Sequence, residues 1–113
     1  MAARFGGGIK ETMGIQSSVS EDGQELRISI QGRFDFSAHQ EFRGSYESLT
    51  EQPSRYLVDL AEATYLDSSA LGMLLLLRDH ASGNDADIKI VNCSTDVKKI
   101  LAISNFEQLF NIQ

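Results

Sequence analysis

The fold is decided by the stretch YLDSSALGML, which occupies residues 65–74. Small polar residues at 67–69 stand immediately before a leucine-rich run, and this combination signals the start of a helix, expected over Ala70–His80. The first N–H groups of a helix lack acceptors within the helix, and the helix dipole adds positive charge there. A hydroxyl of Ser68 or Ser69 can therefore cap the helix, or it can carry a phosphate that these N–H groups stabilise.

The residues upstream of this stretch predict strands. Arg55–Leu60 is a short apolar run, typical of a buried central strand. Earlier in the chain, Gln16–Ser20 and Glu25–Gln31 flank the turn-forming residues 21–24, and the second segment alternates apolar and polar side chains. These two segments predict a hairpin, with Gly32 closing its second strand.

The other segments predict helices alternating with strands. Ser37 is expected to cap a first helix that Pro53 ends. Downstream, residues 88–93 predict a strand, and residues 97–103 predict a helix that Ser94, Thr95 or Asp96 can cap. Residues 106–110 predict a last short helix, and residues 110–112 can end the chain as a short strand. Alternation of this kind predicts an α/β fold: a four- to five-stranded mixed sheet, mostly parallel with an antiparallel edge hairpin, packed against three to four helices.

The composition of the chain argues against several classes of ligand and of metal site. The 113 residues carry a formal net charge of −6, which argues against binding to nucleic acid or to an anionic membrane surface. The single cysteine, Cys93, can form neither an internal disulfide nor a thiolate metal cage. With no apolar segment long enough for a signal peptide or a membrane span, we expect a cytoplasmic protein without metal or cofactor. We expect residues 1–14 to be a flexible N-terminal segment and residues 15–113 to form one domain.

Several segments, in order along the chain, resemble one family. The residues DSSALG at 67–72 resemble the D-S-S-G-L-G signature of STAS domains, specifically the stand-alone anti-sigma-factor antagonists. Further similarity lies in GRFD at 32–35, LVDL at 57–60, IKIVNC at 88–93, VKKIL at 97–101 and the ending ISNFEQLFNI at 103–112. Ala70 replaces the usual glycine of the signature, and Phe34 replaces the usual leucine of the second segment.

The resemblance implies a partner switch and no enzymatic activity. The unphosphorylated antagonist binds an anti-sigma factor, often itself a serine kinase, and so releases a sigma factor. Phosphorylation of the serine after the motif aspartate ends the binding, and a metal-dependent serine phosphatase reverses it. Carried over by position, the phosphate acceptor is Ser68, and its neighbours are Asp67 and Ser69. Asp35 is the acid of the loop that follows the second predicted strand at residues 34–37, which we name the facing loop because the resemblance implies that it faces Ser68. We expect a monomer that meets its partners through this site.

The surface around Ser68 is expected to form the partner-binding face, because open α/β sheets bind ligands at the carboxyl ends of their strands. The predicted contact residues besides Asp35, Asp67 and Ser69 are Phe36, Ser37, Gly72 and Met73. Phe36 is a possible exposed anchor, since aromatic residues concentrate binding energy. The alternative is that Phe34 or Phe36 is simply buried.

Other functions are weighed against the switch. Asp59, near the end of the predicted central strand, corresponds to the phosphorylated aspartate of a receiver-like signalling domain, but the other acids and the lysine of that class are missing from their places. His39 or His80 could activate Ser68 in a hydrolase, yet no G-x-S-x-G elbow surrounds the serine. A nucleotide-binding STAS module is a further alternative that no motif here supports independently.

Overall fold

The computed structural model describes residues 10–12, 14–49, 51–81 and 87–113. Six strands lie among these residues: β1 Lys10–Thr12, β2 Ile15–Val19, β3 Glu25–Phe34, β4 Arg55–Leu66, β5 Ile88–Val91 and β6 Asn111–Ile112. Three α-helices connect them: α1 His39–Glu47, α2 Ser68–His80 and α3 Thr95–Ile103. Short 3-10 turns at Phe36–Ala38 and Phe106–Gln108 precede α1 and follow α3.

The strands form one sheet in the order β1-β2-β3-β4-β5-β6. The first three strands pair antiparallel, and β3 through β6 pair parallel. Each helix therefore crosses between neighbouring parallel strands in the same direction along the sheet, and right-handed crossovers of this kind put all three helices on one face. Their buried side chains accordingly join those of the sheet in one hydrophobic cluster. The mixed α/β fold predicted from the sequence is confirmed.

The sheet contains a strand that the sequence did not predict. Lys10–Thr12 pairs with Ile15–Val19, although it lies in the segment 1–14 that was expected to be flexible. With this strand the sheet has six members instead of four or five. The remainder of the predicted lead-in, residues 1–9 and 13, lies outside the described residues.

The two central strands are longer than predicted. β3 continues through Gly32 to Phe34, so the prediction that Gly32 closes the strand is wrong. Gly32 has φ +74°, a left-handed conformation that glycine adopts without steric cost, and the β3–β4 register shifts at this point. β4 runs to Leu66, six residues beyond the predicted end. β3 thereby extends to the residue before Asp35, and β4 extends to the residue before Asp67, which directly precedes Ser68 and the start of α2.

The beginning of the first helix also differs from the prediction. Asp35, not Ser37, caps the 3-10 turn that leads into α1. Phe42 and Tyr46, which lie one helical turn apart, are both buried and form the inner side of α1. α3 follows the prediction, with the Ser94 hydroxyl accepting a hydrogen bond from the Val97 N–H at 3.2 Å.

Candidate functional site

The ends of β3 and β4 place two acidic residues side by side. Phe34 and Leu66 are the last paired residues of these parallel strands, and the Asp67 N–H donates a hydrogen bond to the Phe34 carbonyl at 3.3 Å. Asp35 and Asp67 are the next residues of two strands that lie about 4.8 Å apart. The structure therefore brings the facing loop and the start of α2 together, as the sequence predicted.

The start of α2 answers the question of which residue caps the helix. The Asp67 carboxylate does so, with its Oδ1 accepting the Ala70 N–H at 2.9 Å. Ser68 and Ser69 are the first two residues of the helix, and neither serves as its cap. Ser68 is exposed, whereas Ser69 is half-buried. The Ser68 hydroxyl thus stands at the N-terminus of a 13-residue helix without being needed to hold that terminus.

The facing loop is held by its own acid. Asp35 Oδ1 accepts hydrogen bonds from the Ser37 N–H at 3.0 Å and from the Ser37 hydroxyl at 2.5 Å. The Arg33 guanidinium lies 3.5 Å from the other carboxylate oxygen. The hydrogen bonds from Ser37, side chain first and backbone second, lower the pKa of Asp35, with the charge of Arg33 contributing less. Asp35 is therefore anionic at neutral pH.

Phe34 and Phe36, the residues on either side of Asp35, have opposite environments. Phe34 is completely buried and packs against Phe42, with ring centroids 5.1 Å apart. Phe36 is 69% exposed, and its ring stacks on His39 at 5.6 Å. The expectation that Phe36 is exposed is thus confirmed, whereas the alternative of a buried ring holds for Phe34.

One predicted contact residue is not at the surface. Met73 is 4% exposed and belongs to the hydrophobic core, so the prediction that it lines the partner surface is wrong. Its position five residues after Ser68 turns it toward the sheet, because a helix repeats every 3.6 residues. Gly72 is half-buried and remains beside the site on the outer part of α2.

The sequence did not identify a pair that borders the site. Arg33 and Tyr65 are register partners near the ends of β3 and β4, and the guanidinium carbon lies 5.0 Å from the centre of the tyrosine ring. Arg33 therefore contacts both Tyr65 and Asp35. The signal that could have revealed this pair is its place in the quoted segments, since Arg33 lies within GRFD at 32–35 and Tyr65 within YLDSSALGML at 65–74.

Asp59 does not occupy the position that a receiver domain requires. It lies in the middle of β4, seven residues before the end of the strand, so the prediction that it lies near the strand end is wrong. Its carboxylate pairs with Arg27 and accepts hydrogen bonds from the Ala61 N–H at 2.9 Å and the Asn92 amide at 3.1 Å. Burial raises the pKa of Asp59, but these hydrogen bonds and the charge of Arg27 outweigh it, and the pKa is lowered. The carboxylate is a structural anchor between strands.

The histidines are placed for packing. His39 stacks on Phe36, and the His80 ring lies 4.8 Å from the Tyr46 ring with its Nε2 2.7 Å from the Gln52 amide oxygen. His80 is twelve residues along α2 from Ser68, about 18 Å along the helix axis. This separation excludes His80 as a base for Ser68.

Two kinds of feature are absent from the part of the chain that the structure describes. Within it, no three or more His, Cys, Asp or Glu residues are grouped so that they could hold a metal ion. No helix found there is both long enough and apolar enough to cross a membrane. Cys93 is half-buried, and burial raises the pKa of its thiol.

The fold and the helix-start loop define a class of small α/β domain with six strands, helices on one face and an exposed serine at the carboxyl ends of the central strands. The chain belongs to the STAS family: the family model described as "Mlab, STAS domain" matches residues 17–111. A STAS-domain containing protein of Pseudomonas aeruginosa (strain UCBPP-PA14) is 68% identical over 100 residues, which cover 88% of this chain and 99% of the relative.

Solved structures share the fold at low sequence identity. The anti-sigma factor antagonist SpoIIAA in its unphosphorylated form has a TM-score of 0.74 and 16% identity, covering 88% of this chain and 87% of its own. A sulfate transporter family protein from Wolinella succinogenes has a TM-score of 0.70 and 15% identity, covering 83% and 78%. The same fold therefore occurs in an anti-sigma factor antagonist and in a protein of a transporter family.

Proposed function

We propose that this chain is an anti-sigma factor antagonist, in which the unphosphorylated form binds an anti-sigma factor and so releases a sigma factor. Phosphorylation of Ser68 ends the binding. The observation that carries the proposal is the exposed Ser68 hydroxyl at the first position of α2, where the Asp67 carboxylate already caps the helix. A phosphate can be added there without removing an interaction that the fold needs.

The electrostatics of the site support an off-switch. A phosphate adds about 1.5 to 2 negative charges at neutral pH. It would stand beside Asp67 and close to Asp35, whose lowered pKa keeps it anionic. In the free protein, water screens the repulsion among these groups, but a docked partner excludes water and strengthens the repulsion. A difference of about 1.4 kcal/mol already weakens binding tenfold.

The helix N-terminus limits the effect of the phosphate on folding. The backbone N–H groups of the first turn of α2 and the helix dipole stabilise an anion at Ser68 by about 0.3–1 kcal/mol. The phosphorylated domain should therefore keep its fold while it loses its partner. We propose that the switch works by charge and steric hindrance at the surface, without a large rearrangement.

The resemblance to the antagonists implies the enzymes of the switch. A serine kinase, which can be the anti-sigma factor itself, would add the phosphate, and a metal-dependent serine phosphatase would remove it. Both enzymes need access to the acceptor side chain, and Ser68 is exposed. The neighbouring Ser69 is half-buried, which disfavours it as the acceptor. The fold does not separate this function from that of a transporter module, since SpoIIAA and the sulfate transporter family protein share it. The resemblance of DSSALG at 67–72 to the signature of the stand-alone antagonists favours the antagonist function.

Peptide mapping tests the acceptor assignment. Protein isolated from its own cells is digested and analysed by mass spectrometry, and the peptide containing residues 67–78 is expected to carry an acid-stable phosphate on Ser68. Ser68→Ala should abolish the modification, and the matched control Ser69→Ala should retain it. Modification that persists in Ser68→Ala, or that maps to Asp59 and is lost in acid, would overturn the assignment.

A further inference from the structure

The outward side of α2 carries an apolar surface that starts at the proposed switch. Side chains four, seven, eight and eleven residues after Ser68 share its side of the helix. These are Gly72, Leu75, Leu76 and Asp79, which we name the α2 stripe. Leu75 is 40% exposed and Leu76 is 50% exposed, whereas the leucines on the opposite side, Leu74 and Leu77, are completely buried. The α2 stripe therefore leaves two large apolar side chains in contact with water, in line with Ser68.

Gly72, the member of this stripe nearest Ser68, is required neither by backbone conformation nor by packing among the described residues. Glycine is the poorest helix former after proline. Gly72 is not among the glycines with positive φ, so its backbone conformation suits any residue. A Cβ built on it meets no atom within 4 Å, so packing within the described residues does not require glycine either. A glycine one helical turn before two exposed leucines does, however, allow another backbone to approach the helix closely.

The apolar surface continues onto the segment after α3. The Arg78 guanidinium donates a hydrogen bond from Nε to the Leu109 carbonyl at 3.1 Å, which joins the end of α2 to this segment. Leu109 is itself 38% exposed. The α2 stripe is therefore bordered by a further exposed leucine on its Arg78 side.

The charge of Asp79 and that of a phosphate on Ser68 limit which partner segment can bind to the α2 stripe. Asp79 lies at the end far from Ser68, eleven residues away, which is about 16 Å along the helix axis. This distance exceeds the Debye length of about 8 Å at physiological ionic strength. A cation opposite Asp79 can therefore attract without being affected by a phosphate on Ser68. A cation opposite Ser68, by contrast, would attract the phosphate and reverse the proposed switch.

From these observations we infer that the α2 stripe packs against an apolar segment of the anti-sigma factor that carries Lys or Arg opposite Asp79 and no cation opposite Ser68. The inference rests on the proposed function and extends it, since it names a contact surface beyond the residues around Ser68. The backbone of the partner segment approaches α2 closely at Gly72, and Leu75 and Leu76 are buried in the complex. Phosphorylation then acts at one end of a contact surface that extends along α2 to Asp79.

Gly72→Ala provides a test with two readouts of opposite direction. Alanine should raise the Tm of the isolated protein by about 3–5 °C, because it is the better helix former and meets no neighbour. The same methyl group should weaken binding to the purified anti-sigma factor at least fivefold. Gly44→Ala in α1 is the matched control, since a Cβ there also meets nothing within 4 Å. It should raise the Tm without changing the affinity. Equal affinity of Gly72→Ala and wild type would overturn the inference.

The inferred cation opposite Asp79 is tested by reversing the charge of Asp79, with a second charge reversal as the control. Asp79→Lys should weaken binding at least tenfold and reduce the salt dependence of the affinity, while Glu62→Lys on the open face of the sheet should leave both unchanged. The Glu62 side chain is exposed, as is that of Asp79. If Asp79→Lys binds as wild type does, the partner segment carries no cation at that end and the inference is wrong.

Cross-linking in cells identifies the occupant directly. The photoreactive residue p-benzoylphenylalanine replaces Leu76 in one sample and the exposed Ile103 of α3 in another. Position 76 should cross-link to an apolar peptide of the anti-sigma factor flanked by Lys or Arg, and Ser68→Asp should abolish the product, while position 103 should give none. A product with a second copy of this chain, with lipid, or with no protein would overturn the inference.

The two proposals fail differently in these experiments. If Ser68→Asp binds the anti-sigma factor as tightly as wild type does, the proposed switch is wrong. If Ser68→Asp weakens binding while Gly72→Ala and Asp79→Lys do not, the switch stands and the α2 stripe is not part of the interface.

Discussion

The Asp67 N–H donates a hydrogen bond to the Phe34 carbonyl at 3.3 Å, which joins the end of one central strand to the end of its neighbour. Asp67 then caps α2 through its side chain, with the Ala70 N–H 2.9 Å from its Oδ1. Asp67 therefore fixes both the end of β4 and the start of α2, directly before Ser68. These contacts set the backbone position of Ser68, so the proposed switch requires no rearrangement of the fold.

The helix cap gives the first prediction. Asp67→Ala removes the acceptor of the Ala70 N–H and should lower the free energy of unfolding by about 1 kcal/mol, measured by urea denaturation. Asp67→Asn keeps an oxygen that can accept the bond, so its loss should be smaller. If both variants unfold at the same urea concentration as wild type, the carboxylate is not the cap.

Phe34 and Phe36, on either side of Asp35, give a matched pair of alanine variants. Phe36→Ala should leave stability almost unchanged, because the side chain is 69% exposed, but should weaken binding of the anti-sigma factor at least tenfold. Phe34→Ala should lower the free energy of unfolding by about 3–5 kcal/mol, because the ring is completely buried. Chemical denaturation and titration calorimetry separate the two effects. Normal affinity of Phe36→Ala would remove the loop from the interface.

Gly32 tests the account of the strand irregularity. Its φ of +74° costs a residue with a Cβ about 1–2 kcal/mol, although a Cβ there would meet no atom within 4 Å. Gly32→Ala should therefore be destabilising, and Gly32→Asn less so, because asparagine tolerates the left-handed region better. Thermal unfolding measures the difference. A gain in Tm for Gly32→Ala would show that the backbone is not held in this conformation.

Acid should weaken the domain through Asp59. The pKa of Asp59 is lowered in the folded protein, so its contribution to stability is fully present above the unfolded value near 3.8 and is lost as pH falls below that value. Protonation breaks the pairing with Arg27 and weakens the hydrogen bonds from Ala61 and Asn92. Asp59→Asn should be less stable than wild type at pH 7, and the gap should narrow below about pH 4, as followed by urea denaturation. A gap that is independent of pH would contradict the lowered pKa.

Part of the fold could be predicted because the local pattern of apolar residues agrees with their burial in the folded sheet. The alternation of Leu26, Ile28 and Ile30 is confirmed as the buried side of β3. The second half of β4 was missed because its buried residues, Leu60, Ala63 and Leu66, recur every three residues. The two register shifts against β3 insert extra residues into β4 and destroy the period of two on which strand prediction depends.

The site was predictable in part for a similar reason. Asp67, Ser68 and Ser69 are all good helix caps, so local chemistry alone does not select among them. The choice depends on where β4 ends, and that is fixed by the hydrogen bond to Phe34, which is distant in sequence. The burial of Met73 follows from the direction in which α2 faces the sheet, and the strong hydrophobicity of residues 73–77 concealed that direction.

The most direct test of the account compares the affinity of one protein in two states. Titration calorimetry with the purified anti-sigma factor would use the unphosphorylated chain and the same chain carrying one phosphate on Ser68, with Ser68→Ala as the reference that cannot be modified. The account predicts that the phosphate weakens binding at least tenfold while circular dichroism and Tm show an intact fold, and that Ser68→Ala binds as the unphosphorylated chain does. Equal affinity of the phosphorylated and unphosphorylated chains would contradict it.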